Sequence, residues 1–171
     1  MIKRIALIGC GKIFIKHYEA IKILEKKKKL RLVAVCDENI KKINKFKIKK
    51  INKYFKISDL LKNEKLDIVT ILTPSGLHFR NAMQLAGKVP SVIIEKPIAL
   101  KLTDAQKMIN FFKIKKTKIF VVLQNRFNKP IVKLKKAIES KKLGNIFMVT
   151  VRLRWSRDLK YYSQAKWRGT W

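Results

Sequence analysis

The stretch Ile2-Lys3-Arg4-Ile5-Ala6-Leu7-Ile8-Gly9-Cys10-Gly11-Lys12-Ile13 changes periodicity at its middle. Residues 2–8 form an apolar run of strand length, and the residues after Gly11 carry helical spacing. Gly9 can take a tight turn, and Gly11 lets the backbone come close to a bound group. The N–H groups of the following helix then point at an anion. In nucleotide-binding α/β folds this junction is where a pyrophosphate sits. A lone Gly-x-Gly is a weak signal, so its weight depends on the rest of the chain.

Strand and helix patterns alternate from there on, as in a parallel sheet covered by helices. A helix is expected over 12–27, with Ile13, His17, Ala20, Ile21 and Leu24 on one face, which makes His17 a packed residue. Leu30–Cys36 reads as a buried strand, followed by a lysine-rich helix over 38–50 carrying Ile40, Ile43, Phe46 and Lys47. A short strand at 53–57, a helix over 59–63 capped by Ser58 and a core strand at 67–72 come next. A helix stopped by Gly87, a strand at 89–94, a helix opened by the capping box Thr103-Asp104-Ala105-Gln106 and a strand at 118–123 follow. Beyond them a helix over 130–140 ends near Gly144, and 146–153 alternates like the first strand of a second sheet. The tail over 155–171, rich in Trp, Tyr and Arg, reads as binding surface.

Three strand ends carry chemistry. Asp37, after the second strand, can accept both ribose hydroxyls of an adenosine and repel a 2′-phosphate, which favours NAD over NADP; it can equally cap the next helix. Thr73-Pro74-Ser75 follows another strand at the edge where ligands bind in such sheets. Glu95-Lys96-Pro97 puts two opposite charges at the end of a buried strand, a costly placement. Lys96 can take a proton from a substrate hydroxyl, with Glu95 orienting it or bonding the cofactor ribose. The alternative is a structural ion pair.

Lys and Arg number 42 against 11 Asp and Glu, a formal net charge of +31. That charge fits either a binder of nucleic acid or anionic membrane, or a solvated lysine-rich surface. The lysines fall on helix faces and ends, with no helix-turn-helix, zinc spacing or aromatic RNA-binding signature beside them. The second reading is therefore adopted: no specific nucleic acid, no membrane and no metal, but a surface that attracts anionic substrates. Hydrophobic residues make up 47% of the 171, enough for one full domain and part of another. Cys10 and Cys36 provide no disulfide framework, so the expected compartment is reducing cytoplasm and the expected role of both is small buried filler.

In order, Gly9-Cys10-Gly11-Lys12-Ile13, His17, Asp37, Thr73-Pro74-Ser75-Gly76-Leu77-His78, Glu95-Lys96-Pro97 and Asn125-Arg126 resemble the Gfo/Idh/MocA oxidoreductases along the whole chain. The resemblance implies an α/β fold. A Rossmann doubly wound parallel sheet over 1–123 would hold NAD, and 124–171 would be the truncated start of a second α/β domain for substrate and oligomerisation. It also implies an NAD-dependent enzyme acting on sugars or cyclitols, with full-length members forming homo-oligomers. Arg154-Trp155-Ser156-Arg157-Asp158 and the segment from Tyr161 to Trp171 are similar to one branch of that family. That branch oxidises UDP-N-acetylglucosaminuronic acid at its C3 hydroxyl in surface-polysaccharide synthesis. By that likeness Lys96 is the catalytic lysine and touches both cofactor and substrate. Gly9, Gly11, Lys12, Ile13, Asp37, Thr73, Pro74, His78, Glu95, Gln124, Trp167 and Arg168 line the cofactor, and Arg154, Tyr161 and Gln164 face the anionic UDP-sugar.

Two departures stand out. Phe14 occupies the place of the third fingerprint glycine. Family members are also longer, so the glycine-rich segment and the histidine that partners the lysine have no counterpart here. The expectations thus span the N-terminal part of a sugar-nucleotide dehydrogenase and a cofactor-binding remnant without turnover, with a basic nucleic-acid binder as the remaining alternative.

Overall fold

Apolar runs too short for helices become strands buried on both faces. The computed structural model describes residues 1–46 and 51–163. It divides into two units, Met1–Leu123 and Gln124–Trp171. The first contains β1 (Lys3–Ile8), β2 (Leu30–Cys36), β3 (Asn52–Tyr54), β4 (Ile68–Ile71), β5 (Ser91–Ile94) and β6 (Lys118–Val121). They form one six-stranded sheet in the order β3-β2-β1-β4-β5-β6, every pairing parallel. The chain winds outward from β1 to β3, crosses back to β4 and winds out to β6. The order reverses between β1 and β4, the switch point at whose carboxyl ends ligands bind in open parallel sheets.

Alternation along β1 divides the core into two layers. Ile5 and Leu7 face one, which α1 (Phe14–Lys26) and α2 (Ile40–Lys45) cover with Phe14, Ile21 and Ile43. Ala6 and Ile8 face the other, covered by α3 (Ile57–Asn63), α4 (His78–Leu85) and α5 (Leu102–Ile114) through Leu60, Leu85, Met108 and Phe112. Phe14 is 0% exposed, with the Phe46 ring 4.4 Å and the Tyr18 ring 6.0 Å away. The residue that replaces the third glycine is thus a principal contact of α1 with the sheet, contributing about 1.5–3 kcal/mol by burial.

Several local expectations give way to tertiary contacts. The buried side of α1 is Phe14, Tyr18 and Ile21, while Ile13 and Ala20 are exposed; packing of Phe14 against the sheet sets the phase of the helix. α3 starts at Ile57 with Lys56 as its extended N-cap, so Ser58 lies inside the helix and bonds Asp59 instead. α5 starts at Leu102 after extended Lys101, and no capping box forms. In both helices the earlier start adds a backbone bond, Leu60 N–H to the Lys56 carbonyl and Ala105 N–H to the Lys101 carbonyl. α2 ends at Lys45, and the expected continuation over 47–50 lies outside the described residues.

The second unit contains a 3-10 turn at Gln124–Phe127, α6 (Lys129–Glu139) and α7 (Leu159–Ser163). Residues 146–153 form no strand and are exposed. A strand exists only through a neighbour's hydrogen-bond ladder, and the described part of this unit offers none. Among the described residues no helix is long and apolar enough to cross a membrane.

Candidate functional site

Four loops leave the carboxyl edge of the sheet side by side. The loop after β1 contains Gly9 at φ +98°, whose N–H donates to the Cys36 carbonyl at 2.8 Å. A Cβ on Gly9 would stand 2.7 Å from main-chain atoms of Leu72 and Thr73, so this glycine lets the β1 and β4 loops touch. Gly11 differs. A Cβ there would meet nothing within 4 Å, so the chain itself makes no demand for glycine at this position. The space over Gly11 is the approach a phosphate needs, and it lies beside the start of α1, whose N-cap Ile13 makes no side-chain cap bond and whose first turn has no acid. Lys12 and Ile13 are exposed on this turn.

Asp37 leaves β2 half-buried. Its Oδ2 accepts from the Cys10 N–H at 2.8 Å and its Oδ1 from the Asn39 N–H at 2.9 Å, which pins the carboxylate beside the glycine turn. The capping alternative fails for Asp37, because Asn39 is the N-cap of α2, accepting from the Lys41 N–H at 3.0 Å. A carboxylate has about four lone-pair directions, so two remain for ribose hydroxyls. Cys10 and Cys36 are both buried, and burial pushes their thiols up to about 12, which leaves them protonated filler.

After β4, Thr73 Oγ1 accepts from Asn81 at 3.0 Å and Pro74 leads extended into the 3-10 turn Ser75–Leu77. After β5, the Glu95 N–H donates to the Ile71 carbonyl and its side chain turns toward α1. Glu95 Oε1 lies 2.7 Å from His17 Nε2, with side chains 12% and 19% exposed. This contact is the main reason the Glu95 carboxyl is held below its usual range. Lys96 is exposed at the loop tip, its N–H donating to Glu95 Oε2 at 3.3 Å. The alternative reading, a structural Glu95–Lys96 ion pair, does not form, because Glu95 pairs with His17 instead. His17 is the site residue that sequence reasoning missed. The signal for it was a histidine one turn into the helix after a glycine turn, a polar group that must find a partner once covered.

His78 also differs from expectation. Its ring is 1% exposed, with Nδ1 2.7 Å from the Pro97 carbonyl oxygen and Nε2 2.9 Å from that of Thr73. Both polar atoms face the chain beneath the site surface, so the side chain ties loops together rather than lining a cofactor.

In the second unit Gln124 and Arg154 are exposed. Tyr161 lies in α7, its N–H donating to Asp158 Oδ1 at 2.8 Å. The Arg157 guanidinium lies 4.8 Å from the ring centres of both Trp155 and Tyr161, an aromatic–cation cluster. Gln164, Trp167 and Arg168 lie outside the described residues.

The chain is similar to the WlbA dehydrogenase from Bordetella pertussis, solved in complex with NADH and UDP-GlcNAcA. The TM-score is 0.91 at 35% identity, covering 99% of this chain and 51% of that one. The WlbA dehydrogenase from Chromobacterium violaceum, in complex with the same two molecules, gives a TM-score of 0.92 at 34% identity over 99% of this chain and 49% of that one. Among curated relatives, the myo-inositol 2-dehydrogenase of Thermotoga maritima is 27% identical over 153 residues, 88% of this chain and 45% of the relative. The chain thus spans about half the length of the proteins it matches. The model of one oxidoreductase family, described by its NAD-binding Rossmann fold, matches residues 3–123. That span coincides with the unit carrying the glycine turn, Asp37 and Lys96, and on this match the chain belongs to the GFO_IDH_MocA family of oxidoreductases, with its NAD-binding Rossmann fold.

Proposed function

We propose that the protein oxidises the C3 hydroxyl of a UDP-sugar uronate, of the UDP-N-acetylglucosaminuronic acid type, in the making of surface-polysaccharide sugars. The observation that carries the reading is Lys96, exposed at the tip of β5 on the sheet edge where the glycine turn and Asp37 also stand. Similarity over 99% of this chain to a dehydrogenase crystallised with UDP-GlcNAcA supports the substrate class.

Gly9 and Gly11 with Lys12 and Ile13 would hold the pyrophosphate, and Asp37 the adenosine ribose. Thr73, Pro74 and Glu95 would lie along the nicotinamide half, and the family resemblance adds Gln124, Trp167 and Arg168 to the cofactor contacts. Asp37 favours NAD because a fixed carboxylate at the β2 tip repels a 2′-phosphate. Bound there, NAD supplies the acceptor for the hydride that leaves C3. Lys96 takes the C3 hydroxyl proton on Nζ, which it does as the uncharged amine, and returns it to solvent afterwards. Arg154, Tyr161 and Gln164 would bind the anionic sugar nucleotide.

The test follows NADH formation from NAD and UDP-N-acetylglucosaminuronic acid. Lys96→Ala should lower turnover by about 100-fold or more while NADH affinity stays within about 3-fold, less than 1 kcal/mol. Turnover that survives Lys96→Ala removes the assigned role. A protein that binds NADH and oxidises no sugar nucleotide is the non-catalytic remnant.

A further inference from the structure

The chain has two histidines, and both bond the tripeptide that carries Lys96. They come from different places. His17 stands in α1, behind the glycine turn, and His78 is the first residue of α4, behind the Thr73-Pro74 loop. His17 reaches Glu95 Oε1 at 2.7 Å, and the other oxygen of that carboxylate accepts from the Lys96 N–H. His78 reaches the Pro97 carbonyl oxygen at 2.7 Å and the Thr73 carbonyl oxygen at 2.9 Å. A ring with one proton donates to one of these carbonyls at a time, and a ring with both protons serves the two together. One imidazole therefore holds the Glu95 side chain, whose other oxygen accepts the Lys96 N–H, and the other holds the Pro97 carbonyl, while the lysine side chain remains exposed.

We infer that His17 and His78 are positioning residues for Lys96. Together they fasten Glu95-Lys96-Pro97 to α1 and to the loop after β4, so that Nζ leaves the sheet edge from a fixed origin. The functional meaning of this grip rests on the proposed role of Lys96; its physical content rests on the four contacts alone. Lysine is a long flexible side chain, so fixing its main chain is the constraint the fold can apply. Both contacts are shielded from solvent, so a lost imidazole leaves an acceptor that water replaces poorly. A displacement of about 1 Å at a reacting group can cost about 100-fold in rate.

Amide hydrogen exchange at Lys96 and Ile98, read in the cofactor-free protein, tests the grip without any turnover. Single-turnover hydride transfer and NADH affinity are read on the same samples. His17→Leu should speed exchange at the Lys96 amide, whose N–H donates to the Glu95 carboxylate, about 10-fold. It should slow transfer about 10- to 100-fold, with NADH affinity and substrate KM little changed. His17→Gln keeps an N–H donor for Glu95 and should recover most of both. His78→Phe should act like His17→Leu, and His78→Asn, which keeps one donor, serves if the Phe variant fails to fold. Unchanged exchange in His17→Leu overturns the inference, as does an equal loss in the Leu and Gln variants. If exchange rises as expected but Lys96→Ala still turns over, the grip stands and the catalytic reading of Lys96 falls.

Discussion

Replacing Gly9 and Gly11 by alanine, one at a time, should produce opposite defects two residues apart. At Gly9 the backbone is at φ +98°, and an added Cβ stands 2.7 Å from the Leu72 carbonyl carbon and the Thr73 nitrogen. The dihedral costs a non-glycine residue about 1–3 kcal/mol. The clash is with main chain that cannot rotate away, which adds about 1–3 kcal/mol of overpacking. Gly9→Ala should therefore lose about 2–6 kcal/mol from a total on the order of 5–15. At Gly11 the added Cβ meets nothing within 4 Å and the φ is not in the left-handed region. Stability should hold or rise by about 0.4–1 kcal/mol through the stiffer unfolded chain. The new methyl would instead fill the approach to the pyrophosphate. A steric cost of about 1–3 kcal/mol corresponds to NADH binding about 5- to 150-fold weaker. Urea unfolding without cofactor gives the first quantity, and a fluorescence titration with NADH gives the second. The reasoning is refuted if Gly9→Ala is as stable as the parent, or if Gly11→Ala binds NADH with unchanged affinity.

Asp37→Asn keeps the acceptor shape but removes the charge. It should weaken NADH binding about 10-fold or more, the value of a hydrogen bond to a charged group, and narrow the preference over NADPH; parallel titrations with both cofactors read this. The folded chain holds Glu95 more acidic than the unfolded chain does, chiefly through His17. Its stabilising contribution is therefore complete above the unfolded value of 4.5 and is lost as pH falls from there through the lower folded value. Acid unfolding of Glu95→Gln should lack that part of the profile, and an identical acid limb in both proteins would count against the pair. Phe14→Ala should cost about 3–5 kcal/mol in urea unfolding, since the ring is fully buried between α1 and the sheet.

The strands were the most legible part of the molecule, because a strand covered on both faces must be apolar throughout. β2 coincides with the apolar run Leu30–Cys36 to the residue. Helix starts were less legible. Ser58 and Thr103 are good caps by type, yet the chain enters α3 and α5 before it reaches them. Where a helix begins is set by where the preceding loop releases the backbone, which residue type does not encode. The tight turn at Gly9 and the placing of Asp37 at the β2 tip were readable because both are local to a strand end. The histidines were not. His17 and its partner are 78 residues apart in sequence, and His78 holds carbonyls 5 and 19 residues away. Residues 146–153 show the same limit: alternation states which side chains share a face and says nothing about a partner strand.

Two of the 11 acids in a chain of net charge +31 stand at strand tips on the ligand edge. Asp37 is held by two main-chain N–H groups and Glu95 by His17, so neither can swing away to pair with one of the many lysines. The positive surface acts on an anionic substrate at the range of the screening length, about 8 Å at physiological salt, and raises capture without choosing an orientation. Orientation needs short-range groups of the opposite sign, fixed in place. An exposed carboxylate among this many cations would be compensated by the nearest ammonium and lose its direction. By committing each carboxylate to hydrogen bonds within the chain, the fold keeps two localised negative points inside a positive field, one flanking the glycine turn and one beside Lys96. Salt should therefore weaken capture of an anionic sugar nucleotide well before it weakens discrimination against a 2′-phosphate. The first would depend on the summed field; the second, on the proposed role of Asp37, would depend on a single short-range carboxylate.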